Sequence, residues 1–185
     1  MKEQLIEEIK TTLSKTKVHL LAEIAIKQAN SVKEIIDLTF HHEEQIAFRA
    51  AWILENIYVS NPCVFAPHTT YFLGNFSKQN NLSARRHYGK ILALMTKSNA
   101  LKEIKLVLDT FDTDQLVETA FAWLIDEKVP VAIKSHCLNI LANFIPKHSW
   151  IKDELIETME YLVDKESVAF FGKVKQIRKQ LKKYN

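Results

Sequence analysis

The most reactive side chains in this sequence are seven histidines and two cysteines, and their spacing assembles no reaction centre. A helical zinc hydrolase site needs two imidazoles four residues apart with a glutamate beside the first, and no pair among His19, His41, His42, His68, His87, His136 and His148 has that spacing. Adjacent His41 and His42 would point different ways from a helix. Cys63 follows Pro62 in an expected loop, whereas Cys137 lies in an apolar pattern and reads as a small packed residue. Two thiols make neither a zinc site nor a disulfide framework. A nucleophile–base pair of either cysteine with His136 or His68 would need a geometry that sequence spacing does not supply. Asp112 with Asp114, and Asp126 with Glu127, fall where helices begin and end, so capping is their expected work. With only three glycines there is no phosphate-cradling loop and no dinucleotide fingerprint. These residues point away from an enzyme, a metal and a cofactor, and towards a binding protein.

The elements that must carry any binding residues are helices. Apolar residues recur at helical spacing, as in Leu5, Ile6, Ile9 and Leu13, or Leu155, Ile156, Met159 and Leu162. Start signals punctuate them: Ser31 with Glu34, Thr113 or Asp112 before Leu116, Ser149 before Ile151, and Pro130 for the first turn of a following helix. Helices are predicted over 2–14, 17–29, 31–40, 43–59, 67–77, 82–96, 99–110, 113–127, 130–145, 149–164 and 167–183. The longest apolar run, Ala120 to Ile125, is far short of the ~20 residues that span a membrane. No signal-peptide core follows Met1, so the expected location is cytoplasmic.

Three of these helices align without gaps, starting at Ile46, Ala84 and Ile133. Their equivalent positions are Ile46, Ala84 and Ile133; Ala50, Tyr88 and Cys137; Ile53, Ile91 and Ile140; Leu54, Leu92 and Leu141; Ile57, Met95 and Phe144. All can be buried, and at helical pitch they cover about 100° of one face, the width of a core stripe. A looser fourth copy uses Val174, Ile177 and Leu181. The opposite side then faces solvent or a ligand. Its columns are Phe48, Arg86 and Ser135; Trp52, Lys90 and Asn139; Asn56, Leu94 and Asn143; Arg49, His87 and His136.

This pattern resembles the second helix of HEAT and armadillo repeats, with Arg85 and Lys134 at the basic position of HEAT units. The stretch Ala50 to Ile57 is similar to the armadillo helix in which Trp and Asn four residues apart grip extended peptides. The sequence lacks the Gly-marked turn of armadillo units, so two-helix HEAT-like hairpins describe it better. The resemblance implies an all-α fold, a right-handed α-α superhelix of stacked HEAT-like helical hairpins in one domain over 1–185. Residues 1–30 would cap the N-terminal end, 31–164 form the repeats and 165–185 a basic C-terminal cap. It also implies a non-enzymatic scaffold binding a protein or extended peptide on its concave face.

Phe48, Arg49, Trp52, Asn56, Arg86, His87, Lys90, Asn139 and Asn143 are the expected partner-binding residues. Aromatic and arginine anchors carry disproportionate interface energy, and Asn amides bond extended backbone. The competing expectation is that the first helices fold over Phe48 and Trp52 and bury both. Arg85 and Lys134 are expected to pair with carboxylates. Nucleic acid is the second partner class, because alkylpurine DNA glycosylases of the HEAT-like type are similar in helical stacking and use Trp and Asp. Trp123 and Asp126 are near each other here, yet Trp123 reads as core from its apolar neighbours.

Charge is segregated along the chain. Lys78 to Lys105 holds seven basic residues against Glu103, Leu106 to Glu127 holds six acidic residues and no cation, and Lys165 to Asn185 holds seven basic residues against Glu166. The last segment interleaves Lys173, Lys175, Arg178, Lys179, Lys182 and Lys183 with Val174, Ile177 and Leu181. It suits a cap that shows water a charged face, or contact with an anionic partner.

Overall fold

The computed structural model describes residues 2–11, 13–27 and 31–184, with side chains outside the description at 2–5, 31 and 184. The Ser31 capping box and the burial of Leu5 lie outside the described residues. The described residues are helix, turn, bend or short irregular joints, with no strand among them. The helices are α1 (Lys2–Lys10), α2 (Lys15–Ile26), α3 (Ser31–Leu38), α4 (Glu44–Ser60), α5 (Pro62–Phe65), α6 (Thr69–Phe76), α7 (Leu82–Met95), α8 (Lys102–Thr110), α9 (Asp114–Ile125), α10 (Val131–Phe144), α11 (Ile151–Val163) and α12 (Val168–Leu181). A 3-10 turn at Ala66–His68 joins α5 to α6, and another at Lys182–Tyr184 follows α12.

Local chemistry sets several boundaries. The Asn61 side chain accepts the Val64 amide and Pro62 follows it, which starts α5 within the expected loop before residue 67. Pro67 has no amide hydrogen to donate, so the chain tightens into the 3-10 turn before α6. Asn81 caps α7 by accepting the Ala84 amide at 2.9 Å. At α9 the expected cap divides: Asp112 accepts the Asp114 amide at 3.1 Å, while Thr113 turns its hydroxyl to His148 Nε2 at 2.7 Å. Pro130 stands at the N-cap of α10, one residue outside its first turn. Trp150, not Ser149, is the N-cap of α11, and it makes no side-chain cap bond.

The aligned helices stack as neighbours. Helix α4 packs on α7, α7 on α10 and α10 on α12; α2 and α3 lie against α4, α9 against α10, and α11 against α10 and α12. Every residue of the five aligned columns is buried, and so are Val174, Ile177 and Leu181 of the fourth copy. The approach of α7 to α10 is close at Gly89, where a Cβ would lie 3.1 Å from the Cβ of His136.

Several polar residues on the inward side are engaged, although Thr69 Oγ1 is buried without a partner. The Tyr88 hydroxyl meets Thr39 Oγ1 at 2.6 Å, and Thr39 donates to the Ile36 carbonyl. Burial raises the Tyr88 pKa well above that of a free phenol. Gln79 donates to the Thr39 carbonyl at 3.1 Å and tightens the joint before α7. Lys134 is buried and pairs with Glu166, as expected of the basic position. Arg85 does otherwise: its Nε donates to the Gln79 carbonyl at 2.8 Å, and its guanidinium covers the Trp123 ring at 5.0 Å. A buried indole and a free carbonyl lie within its reach, so it needs no carboxylate hydrogen bond.

Candidate partner-binding face

The side of α4, α7 and α10 opposite the core stripe is partly open, and its chemistry changes along the stack. On α4, Phe48 and Trp52 are half-buried, with rings stacked at 6.2 Å and 24° between planes. The His87 imidazole of α7 joins them, 5.5 Å from Phe48 and 6.5 Å from Trp52. The first helices therefore leave Phe48 and Trp52 half-covered, between the two expectations. Part of Trp52 rests against core residues.

A carboxylate that the outward columns did not include organises this corner. Glu55 accepts from His87 Nδ1 at 2.6 Å and from Lys90 Nζ at 2.5 Å. Burial alone would raise the Glu55 pKa, but the hydrogen bonds from His87 and Lys90 outweigh it and hold the carboxyl below its usual value. With Nδ1 held by Glu55, the imidazole presents Nε2, which is buried without a hydrogen-bond partner. The signal for Glu55 was in the sequence. It lies three residues beyond Trp52 and one before Asn56, close enough on α4 to meet two basic side chains of the adjoining helix.

Other expected residues are placed as follows. Arg49 donates to the carbonyls of Ile9 at 2.7 Å and Lys10 at 2.9 Å, closing the C-terminus of α1. Asn56 bonds the Trp52 carbonyl of its own helix at 3.0 Å. Asn143 donates to Thr96 Oγ1 at 3.1 Å and accepts from Gln180 at 3.1 Å, so it bridges α7 and α12 across α10. Arg86 is exposed with no carboxylate partner among the described residues, and Asn139 is half-buried. His136 lies under the cations: burial pushes its pKa down to about 4, with Lys90, Arg86 and Lys173 adding to the fall and Glu55 opposing it. Phe48, Trp52, His87 and Lys90 thus form one cluster. Arg49, Asn56 and Asn143 are bonded to the protein itself.

The remaining reactive groups stay apart. Cys63 is exposed, and Cys137 is buried in the core stripe, where burial pushes its thiol up to about 12. Adjacent His136 is about 100° round α10 from it, and among the described residues no hydrogen bond joins the two. His41 and His42 are in a non-helical turn and stack at 4.2 Å, so they do not diverge as a helix would require. With Glu43 they bring three candidate ligand atoms within 4.8 Å of one another, although His41 Nδ1 already accepts the Glu43 amide. Trp123 is buried against Phe76 at 4.9 Å. Among the described residues no helix is long and apolar enough to cross a membrane.

Residues 5–183 match a family described as a HEAT repeat domain. No curated protein and no solved structure matches the chain.

Proposed function

The chain belongs to the HEAT repeat domain family, and from that premise we propose that it is a non-enzymatic cytoplasmic scaffold gripping an extended acidic segment of a protein partner. The segment lies on the concave face formed by α4, α7 and α10, with α1 and α2 closing one end of a single domain and α12 the other. Phe48 and Trp52 form the aromatic anchor, backed by the buried His87 ring; Arg86 attracts carboxylates, Lys90 holds Glu55 beside it, and Asn139 bonds partner backbone. Arg49, Asn56 and Asn143 hold the face in shape.

The observation that carries this reading is the half-open ring cluster, with exposed Arg86 beside it and the Glu55 carboxylate already bonded to His87 and Lys90. Aromatic anchors flanked by cations are the usual carriers of interface energy. Nucleic acid is the weaker reading. A glycosylase-like site would use a Trp and an Asp in a groove, and Trp123, the indole nearest Asp126, is covered by Arg85 and Phe76.

The test compares wild type with Trp52→Ala and Arg86→Glu in affinity capture from the native extract. Arg86→Glu reverses an exposed charge and should release an acidic partner while leaving Tm within about 1 °C. Trp52→Ala should also release it, with a modest loss of Tm from its core-facing edge. Retention of every captured partner by Arg86→Glu sinks the proposal. Tight, salt-sensitive retention on duplex DNA with excision of alkylated bases would replace it with the nucleic-acid reading.

A further inference from the structure

We infer that the cavity between the C-terminal ends of α7, α8 and α10 and the last turns of α12 is a binding site for a small polyphosphate. Its volume is about 750 Å³, within the ordinary range for small-molecule sites. Five lysines line it, Lys97, Lys105, Lys147, Lys179 and Lys183, against one carboxylate, Asp109. The inference is independent of the ring cluster on α4 and α7.

The five lysines divide into two sets. Lys105 donates to the Ser98 carbonyl at 3.1 Å, and Lys147 donates to the carbonyls of Leu108 at 2.8 Å and Phe111 at 3.0 Å. These two secure the ends of α8 and build the wall. Lys97, Lys179 and Lys183 are exposed and have no carboxylate partner among the described residues. They come from three separate places, the turn after α7, the last turn of α12 and the 3-10 turn beyond it. Lys173, farther up α12, shows the crowding: burial lowers its pKa, and the ammonium of Lys97 lowers it further. Five ammonium groups against the single Asp109 carboxylate leave a net positive charge that the helix C-termini offset only in part, and a multivalent anion compensates the rest.

The floor is polar and fixed. Asn143 bonds Thr96 on one side and Gln180 on the other, and so holds α7, α10 and α12 in register beneath the cations. Lysine ammonium groups act as point charges that accept any arrangement of phosphate oxygens. The aromatic wall is Phe144, which is 5% exposed and offers no face on which a base could stack. The ligand recognised is therefore the phosphate chain itself, not a nucleoside.

Titration calorimetry and thermal melting with tripolyphosphate, ATP without magnesium, and sulfate, all at one ionic strength, test this. Tripolyphosphate at a hundredfold excess over its Kd should raise Tm by about 5–10 °C, and ATP should bind no tighter. Lys97→Gln with Lys179→Gln should weaken tripolyphosphate at least tenfold. The charge-matched pair Lys175→Gln with Lys182→Gln, exposed and outside the cavity, should leave it within about twofold. Asp109→Asn should tighten it by roughly twofold. A Tm rise from sulfate equal to that from tripolyphosphate overturns the inference, as does equal weakening by the two double variants. ATP binding tenfold tighter than tripolyphosphate also overturns it, since a base would then be recognised. The anion series on the wild type decides the matter even if a variant folds poorly.

Discussion

Leu54, Leu92 and Leu141 occupy equivalent places on α4, α7 and α10, and each is fully buried. Two residues earlier on the same helices stand Trp52, Lys90 and Asn139, which share a place in the stack and no chemistry. The difference teaches what stacking constrains. Each helix must present the same apolar stripe to its neighbours, because a polar atom there loses water without gaining a partner. The opposite side meets no such demand, so an aromatic cluster can stand at α4 and uncompensated lysines at the ends of α7 and α12.

The sharpest way to break this contrast is at the intermediate column Ala47, Arg85 and Lys134, where a charge has entered the inward side. Glu166→Ala would leave the Lys134 ammonium, 1% exposed, without its counter-charge. It should cost about 3–5 kcal/mol, read in chemical denaturation, and a loss below 1 kcal/mol would mean that Lys134 reaches water on its own. Next comes the stripe itself. Leu141→Ala should cost about 2–5 kcal/mol and lower Tm by roughly 5–15 °C.

Acid comes third. With a folded pKa of about 4 against the ordinary 6.5, His136 binds its proton more readily in the unfolded chain. Stability is therefore full above pH 6.5 and falls as pH drops towards 4, by up to about 3 kcal/mol. His136→Gln should flatten that limb. What is lost at still lower pH belongs to groups such as Glu55, whose lowered pKa removes stability as its carboxyl protonates. An unchanged acid limb in His136→Gln would show that His136 is neutral for no energetic reason. The smallest effect belongs to Asn139→Ala, expected within about 0.5 kcal/mol of wild type although it lies only two residues from Leu141.

Much of this was legible before the fold. The three aligned stripes follow from apolar periodicity, since residues a turn apart on a helix must share one face. The burial of Cys137 and Trp123 followed from their neighbours in the same way. Three things were not legible. His41 and His42 were expected to diverge as on a helix, and they lie in a turn where they stack. Arg49 was expected to meet a partner, and it closes α1, whose last carbonyls arrive from 40 residues away. The role of Glu55 depends on which basic residues α7 brings opposite it, which its own neighbours in the chain do not encode.

The sequence by itself determined the helices, their common greasy side and the segregation of charge, because each of these is a property of residues within a few turns of one another. Tertiary structure alone decided which polar groups are already satisfied. Arg49, Asn143, Lys134 and Lys147 are engaged across helices, while Arg86, Lys97, Lys179 and Lys183 have no carboxylate partner among the described residues. A hydrogen bond forms over about 3 Å between atoms that the chain separates by dozens of residues, and only packing brings those atoms together.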